Sequence, residues 1–338
     1  MHKRCLALYS GGLDSLVCVR FVRDLGIEVV PLYFATPFFG FNALFSSLEF
    51  KEKHFSKFGI MPEIIDYTDD FIKILAAPVH GYGRHMNPCI DCKIGMLKKA
   101  KGLLKDYSAS FVISGEVLGQ RPMSQRKDSM NVIERDSGLK GLLLRPLCAR
   151  HMPFSIPEKE GIINKEDMLD ITGRGRKRQE ELAISYGVLK EDIPSPAGGC
   201  LLTYVQIAEK VRQTIDRFSP EIPIRADLVM DVVGRKFMID SNTVMIVPRD
   251  EAENNLAEAL RFPGNVFVKI DNIPGPTGVI RGNINRGNLE MAASKCLRYT
   301  KARGTKGNTA SWGESPENMD KSIDVPVIDE NLIAAPNP

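Results

Sequence analysis

Ser10-Gly11-Gly12-Leu13-Asp14-Ser15 decides the fold. It follows a short apolar run, Cys5-Leu6-Ala7-Leu8-Tyr9, and opens an amphipathic run from Leu16 to Leu25 that Gly26 ends. A strand that turns through two glycines into a helix start is an anion seat. The glycines let the backbone approach closely, and the first free N–H groups of the helix point at whatever sits there. Ser10 and Ser15 add hydroxyl donors, and the helix dipole favours a nearby negative charge by roughly 0.3–1 kcal/mol. Neither G-x-x-x-x-G-K-[ST] nor G-x-G-x-x-G occurs here. The expected ligand is a phosphate or pyrophosphate.

Outward from this stretch, strand and helix patterns alternate. Ile27 to Phe34 is β-branched and nearly continuous, which predicts a buried strand. An aromatic loop runs from Ala35 to Phe45, and Ser47 can cap a helix through Phe58 that Gly59 stops. Ile60 to Tyr67 reads as a third strand, Asp69 starts a helix, Pro78 to Cys89 is a loop, and Ile90 to Lys105 is a helix. Phe111 to Ser114 and Leu142 to Leu147 complete five strands, and Gly161 to Gly187 reads as helical and highly charged. This alternation predicts an α/β class: a Rossmann-like parallel sheet with helices on both faces and ligands at the carboxyl ends of its strands.

Character changes after Thr203. Helices at Tyr204 to Phe218, Asp250 to Arg261 and Arg286 to Arg303 are expected. Strands are expected near Asp227 to Val233, Lys236 to Ile239, Thr243 to Val247, Val266 to Ile270 and Thr277 to Arg281. Together they predict a smaller carboxyl-terminal α+β domain. The expected division is a catalytic domain at 1–203, the small domain at 204–303 and a flexible tail at 304–338. The tail is rich in Gly, Asn, Ser and Pro and has too little apolar surface to offset its ordering entropy.

At 338 residues, 43% apolar and 26% charged, the chain has room for two domains and a substantial core. A net charge of +3 is close to balanced, so any nucleic-acid surface must come from local clustering. The run from Gly173 to Arg178 is one basic cluster; Lys295, Arg298, Lys301, Arg303 and Lys306 form another. Seven cysteines without regular spacing do not make a secreted disulfide framework. Only five residues separate the basic start from Ser10, too few for a signal-peptide core, and no run approaches a membrane span. A cytoplasmic chain with reduced thiols and no membrane partner is expected.

Cys89 and Cys92 form a C-x-x-C at a loop-to-helix boundary, where a helix N-terminus lowers a thiol's pKa. Cys200 sits in a Gly-Gly-Cys turn whose small neighbours allow a ligand to approach. The residues leave three readings open: zinc with His80, His85 or His151 as fourth ligand, a dithiol pair with Cys200 as bystander, or unrelated loop thiols. Cys5, Cys18, Cys148 and Cys296 lie in apolar periodic segments and read as packing residues.

The Ser10–Ser15 stretch resembles the SGGxDS loop of the ATP pyrophosphatase (adenine nucleotide α-hydrolase) superfamily. Asn87-Pro88-Cys89-Ile90-Asp91-Cys92-Lys93 resembles the Asn-Pro-Cys-x-x-Cys segment of tRNA thiolation enzymes built on that fold. The segments 115–125 and 195–203 look like those of the thiouridylase-like and 4-thiouridine-synthetase-like subgroup, and the last unit is similar to its small RNA-associated domain. The resemblance implies ATP, cleaved between its α and β phosphates, with AMP passed to a uridine carbonyl oxygen of tRNA and sulfur then replacing that oxygen. It places Ser10, Gly11, Gly12, Asp14 and Ser15 on the phosphates, with adenine against the Phe34-Ala35 backbone and near Gly115. Asp14 would serve Mg2+ or its water shell, or else cap the helix. Arg121 and Lys127 would balance phosphate charge, or form a solvated basic turn. Cys89, Cys92 and Cys200 would deliver sulfur, as ligands of a 4Fe-4S cluster or, alternatively, of zinc, or through a persulfide. The sulfur donor would be sulfide or a persulfide carrier. The rivals are thiolation of a small molecule, amidation by the same adenylation logic, and a non-catalytic RNA-binding module.

Overall fold

The computed structural model describes residues 3–196 and 199–326. Ala197 and Gly198, within the 195–203 segment, and 327–338, within the expected tail, lie outside the described residues. The chain divides into two compact units, Met1–Thr203 and Tyr204–Pro338.

The first unit is built on a five-stranded parallel sheet. Its strands are β1 (Arg4–Leu8), β2 (Glu28–Ala35), β3 (Glu63–Asp66), β4 (Phe111–Ser114) and β5 (Leu143–Leu144), in the order β3-β2-β1-β4-β5. The helices are α1 (Leu13–Asp24), α2 (Asn42–Phe45), α3 (Ser47–Phe58), α4 (Thr68–Ala76), α5 (Cys89–Leu103), α6 (Lys127–Asp136), α7 (Ile156–Lys159) and α8 (Lys177–Ser185). The chain leaves β1 toward β2 and β3, then crosses back to β4 and β5. Right-handed crossovers in opposite directions put α1 and α5 on opposite faces. The order reverses between β1 and β4, and the crevice at such a reversal is where open α/β sheets hold ligands. Both Ser10 and Gly115 follow strands that border it. Leu16, Val17, Val19 and Val22 of α1 pack with Cys5, Ala7, Val29, Phe111 and Ile113 of the strands into the buried core.

Two expectations for this unit change. The region 161–187 is helical only over α8 and in a 3-10 turn at Lys165–Asp167. Gly161 and Gly173 adopt positive φ of 69° and 80°, which breaks a continuous helix. Between those turns, Leu169 and Ile171 donate to Pro146 and Leu147 carbonyls and continue where β5 stops. β5 itself is two residues long, because Pro146 has no N–H to give a ladder. Helix α6 had no counterpart in the sequence reading.

The second unit comprises α9 (Val205–Phe218), α10 (Arg225–Val229), α11 (Glu251–Glu258) and α12 (Arg286–Arg298) with a six-stranded antiparallel sheet. Its strands are β6 (Arg235–Asp240), β7 (Thr243–Val247), β8 (Asn265–Ile270), β9 (Gly278–Arg281), β10 (Thr309–Gly313) and β11 (Lys321–Asp324), in the order β11-β10-β8-β9-β7-β6. Ala292, Ala293 and Cys296 of α12 close the core over Phe237, Met245, Val268 and Ile280. The expected strand at 227–233 is instead α10 and a turn. Asp227 accepts the Ile224 N–H and pairs with Arg281 at 2.8 Å, which fixes a helix start there. Lys295, expected in a basic face, is buried with its Nζ 4.3 Å from the Phe237 ring centroid, and burial pulls its pKa down to about 8.

The expected tail also changes: residues 309–324 supply two strands, with Ala310 pairing Ile270 and Val325 in the core. Strand pairing with β8 compensates for modest hydrophobicity, a gain invisible to composition. A chain ending at Gly304 is expected to leave the β8 edge bare and melt well below the full chain, with aggregation on heating. Equal melting curves by circular dichroism would show the two strands to be dispensable.

Candidate active site

The loop after β1 is shaped by its own side chains. Ser15 Oγ donates to the Gly12 carbonyl at 2.8 Å and accepts the Ser10 N–H at 3.2 Å, while the two serine hydroxyls lie 3.2 Å apart. Gly11 has φ +72°, a left-handed conformation that costs a side chain about 1 kcal/mol or more. No side chain caps α1, so its first amides stay open toward the crevice. Asp14 therefore is not the cap. Its carboxylate accepts Gln120 Nε2 at 2.9 Å and Gln179 Nε2 at 3.3 Å. Burial holds Asp14 above the ordinary carboxylate range, against those two hydrogen bonds and the charges of Arg176 and Arg121.

Gly115 is fixed by close approach. A Cβ there would sit 2.5 Å from the Asp14 carbonyl oxygen and 2.8 Å from the Ser15 nitrogen. Both are backbone atoms of the loop and cannot swing aside. Gly115→Ala is expected to destabilise the first unit by about 1–3 kcal/mol through this overlap. It should also weaken nucleotide binding, measured by calorimetry; unchanged ATP titration and melting would refute the contact's importance.

Phe34 and Ala35 end β2, buried and beside the loop after β1, with Tyr9 N donating to Leu32 O at 2.9 Å. Phe34 stacks edge-on with Tyr67 at 5.4 Å. Arg121 is exposed, within electrostatic range of both Asp14 and Cys89. The segment 119–125 thus stands between the phosphate loop and the C-x-x-C.

The thiols come from two places. Cys89 opens α5, whose start lies at the carboxyl edge of the sheet because the helix runs back to begin β4. Asn87 accepts from Cys89 Sγ, and Cys92 N donates to the Pro88 carbonyl at 2.8 Å. Cys200 is tethered to the loop after β2, where Leu201 N donates to Phe38 O at 2.8 Å. Each of Cys89 and Cys92 is in electrostatic range of Cys200. The expected lowering by the helix N-terminus is overridden: burial pushes all three thiols up, Cys200 to about 11. Among the described residues, no three His, Cys, Asp or Glu side chains form a group that could hold a metal. Of the three histidines considered for zinc, His80 and His151 are engaged elsewhere, whereas His85 Nε2 is buried without a hydrogen-bond partner. His80 lies between Asp91 (2.9 Å) and Asp136 (3.3 Å), and His151 Nε2 is 2.9 Å from the Asp170 carbonyl. Cys5, Cys18, Cys148 and Cys296 are buried packing residues.

Several side chains at the site carried no sequence signal. Gln179, Arg176 and His54 face the phosphate loop; His54 Nε2 lies 3.1 Å from where a Gly11 Cβ would be. Arg176 was visible only as one of a basic run. In that run Arg178 pairs with Asp170 at 2.7 Å and Lys177 with Glu181 at 3.9 Å. Beneath the site, Glu116 and Arg145, each about 2% exposed, pair at 3.1 Å, and Arg145 also reaches Glu134 at 2.9 Å.

Residues 1–165 match the family model described as thiamine biosynthesis protein (ThiI), and residues 234–335 match the NFACT protein RNA binding domain. A probable tRNA sulfurtransferase of Thermococcus kodakarensis is 26% identical over 172 residues, covering 50% of this chain and 39% of that protein. A 4-thiouridine synthetase–RNA complex with bound ATP is 18% identical at a TM-score of 0.39, covering 68% of this chain and 53% of the other. The U34-tRNA thiolase NcsA from Methanococcus maripaludis, with its [4Fe-4S] cluster, is 15% identical at a TM-score of 0.31, covering 69% and 71%. The chain therefore spans well under two thirds of the sulfurtransferase and the synthetase. No helix among the described residues is long and apolar enough to cross a membrane.

Proposed function

We propose, from the match of residues 1–165 to the ThiI family model and the resemblance of the Ser10–Ser15 loop to that of ATP pyrophosphatases, that this chain is an ATP-dependent tRNA sulfurtransferase. The carrying observation is the 119–125 segment: Gln120 holds Asp14, and the next residue, Arg121, is in electrostatic range of Cys89. A phosphate site and a thiol site served by one short loop suit a reaction that activates an oxygen and then replaces it with sulfur.

ATP fits the crevice. The open amides of α1 and the Gly11-Gly12 turn would hold the β and γ phosphates, leaving the α phosphorus exposed. The Gln120 and Gln179 amide oxygens are buried without a hydrogen-bond partner, beside the Asp14 carboxylate. That all-oxygen set suits hydrated Mg2+, which would neutralise pyrophosphate. Arg121 and Arg176 add positive charge where the leaving pyrophosphate builds up negative charge. The uridine carbonyl oxygen attacks the α phosphorus and pyrophosphate leaves, so the oxygen departs later as AMP. The target base must be turned out of its stack to reach this point.

For the sulfur step, Cys89, Cys92 and Cys200 are the donors of this chain. Their arrangement does not make a metal-holding group, so no step is assigned to a cluster. A persulfide received from a carrier onto one thiol supplies the nucleophile. Its terminal sulfur attacks the activated carbon, and AMP leaves with the C–O electrons. A second cysteine thiolate of this chain then attacks the Sγ of the cysteine that held the persulfide, which closes a disulfide between the two and frees the thiocarbonyl; a thiol reductant restores the pair.

The test is pyrophosphate release with ATP, Mg2+ and unmodified tRNA. Release that depends on tRNA supports the reading. ATP binding with no tRNA-dependent release favours a regulatory nucleotide site on an RNA-binding protein.

A further inference from the structure

The second unit contains a cavity of about 190 Å3 lined by Gln213, Thr214 and Arg217 of α9 and Lys236 and Met238 of β6. Three of its five lining residues precede the segment that matches the RNA-binding family model. Its chemistry is one-sided. Lys236 is buried, and its ammonium donates to Thr214 Oγ1 at 2.7 Å and to Asp231. Its side chain is about 3% exposed, and the second oxygen of Asp231 beside it is buried without a hydrogen-bond partner. Thr214 Oγ1 donates in turn to Asp231 at 3.1 Å and has no proton left. Arg217 lies over the Phe218 ring at 5.0 Å, with Nη1 3.9 Å from Met238 Sδ. Among the described residues no carboxylate pairs with Arg217, so its fan of N–H donors meets no oxygen acceptor. Gln213 adds an amide at the exposed edge.

Asp231 is the shared counter-charge of Lys236 and, within electrostatic range, of Arg217, so the three groups together carry one positive charge in excess. Lys210 is also within electrostatic range of Asp231 and Lys236. A cavity with surplus donors and surplus positive charge takes an acceptor-rich anion. Its volume holds several waters. It is below the roughly 300–1,000 Å3 of pockets that enclose a small molecule. It can seat one phosphate group while the remainder of the ligand stays outside, as a polymer backbone would.

We propose that this cavity is a phosphate site for the RNA backbone, with Arg217 as its donor and the buried Lys236 charge behind it. The site rests on the tRNA reading above and adds to it a position on the second unit. Bidentate donors from a fixed guanidinium would hold one phosphodiester without reading sequence.

The test measures binding of unmodified tRNA to the full chain by fluorescence anisotropy across a series of KCl concentrations. Arg217→Gln removes the excess charge. Gln213→Glu places a carboxylate at the edge from an exposed position and spares the packing. Each variant should weaken binding about tenfold, for RNAs of any sequence. The slope of log K against log salt should fall in magnitude by about 0.7–0.9, the loss of one phosphate contact. Matching circular dichroism melts separate this from unfolding. Unaltered affinity and slope in both variants, with wild-type binding intact, would overturn the site and leave the sulfurtransferase reading standing. A wild-type chain that binds no tRNA would overturn both. Inorganic phosphate that raises the wild-type melting point but not that of Arg217→Gln, with RNA binding unmoved, would assign the cavity to free phosphate and refute the RNA backbone as its ligand.

Discussion

Cys200→Ser is expected to abolish thionucleoside formation, by at least about 10^3-fold, while leaving ATP binding and tRNA-dependent pyrophosphate release near wild type. The separation follows from placement. Cys200 hangs from the loop after β2 through Leu201 N, whereas the phosphate loop is organised by Ser10, Ser15, Gln120 and Gln179. Serine fills nearly the same volume and keeps the Thr203 Oγ1 hydrogen bond to the residue's carbonyl, so the turn should persist. A hydroxyl, however, can neither hold a persulfide nor be displaced as a thiolate. Nucleoside mass spectrometry of reacted tRNA and a pyrophosphate assay on the same samples read the two halves separately. Parallel loss of both would make Cys200 structural. Undiminished thiolation would remove it from the chemistry and leave Cys89 and Cys92 as a self-sufficient pair.

The phosphate loop was legible because its signals are local. Two glycines, flanking serines and a preceding apolar run fall within a dozen residues, and the positive φ at Gly11 is what a glycine there announces. Strands β1, β2 and β4 were legible for the same reason, being apolar runs between turn residues. What sequence could not show was which amides would reach Asp14, since Gln120 and Gln179 lie 106 and 165 positions away. The charged stretch at 161–187 misled because alternating charges mimic an exposed helix, while Gly161 and Gly173 turn the chain. Lys295 misled differently. Its ammonium lies over the Phe237 ring, and a basic residue on a helix can be interior when a ring receives its charge. Strands β10 and β11 were missed because their stability comes from pairing with β8, forty residues earlier at Ile270 and Ala310.

Arg145→Met is expected to cost the first unit about 3–5 kcal/mol at neutral pH, the largest stability change proposed for this chain. Lys93 is the larger counter-charge of Glu116; Arg145 adds a second charge and a hydrogen bond to it, and also donates to Glu134 and to the Met130 carbonyl. Burial pushes the Glu116 carboxyl up, but Lys93 and Arg145 outweigh it and hold it below the ordinary range. In the wild type, that depressed value stabilises the fold above the unfolded carboxylate pKa, and the contribution fades as pH falls through the folded value. Removing Arg145 leaves Lys93, 3.8 Å from Glu116 Oε1, as the one remaining cation. Burial then dominates and the carboxyl rises above its unfolded value, so the sign reverses: the variant should gain stability on acidification, as Glu116 takes up a proton. Denaturant midpoints from pH 7.5 to 4.5 should therefore converge for the two proteins. Adding Glu116→Gln to Arg145→Met should recover a large part of the loss, because the penalty comes from an orphaned charge rather than from a missing contact. A constant gap across that pH range, or no recovery in the double variant, would place the cost in packing instead. Because Glu116 directly follows Gly115 and its backbone carbonyl accepts from Cys148 Sγ at 3.3 Å, the same swap should loosen the Gly115 contact and weaken ATP binding in step with stability.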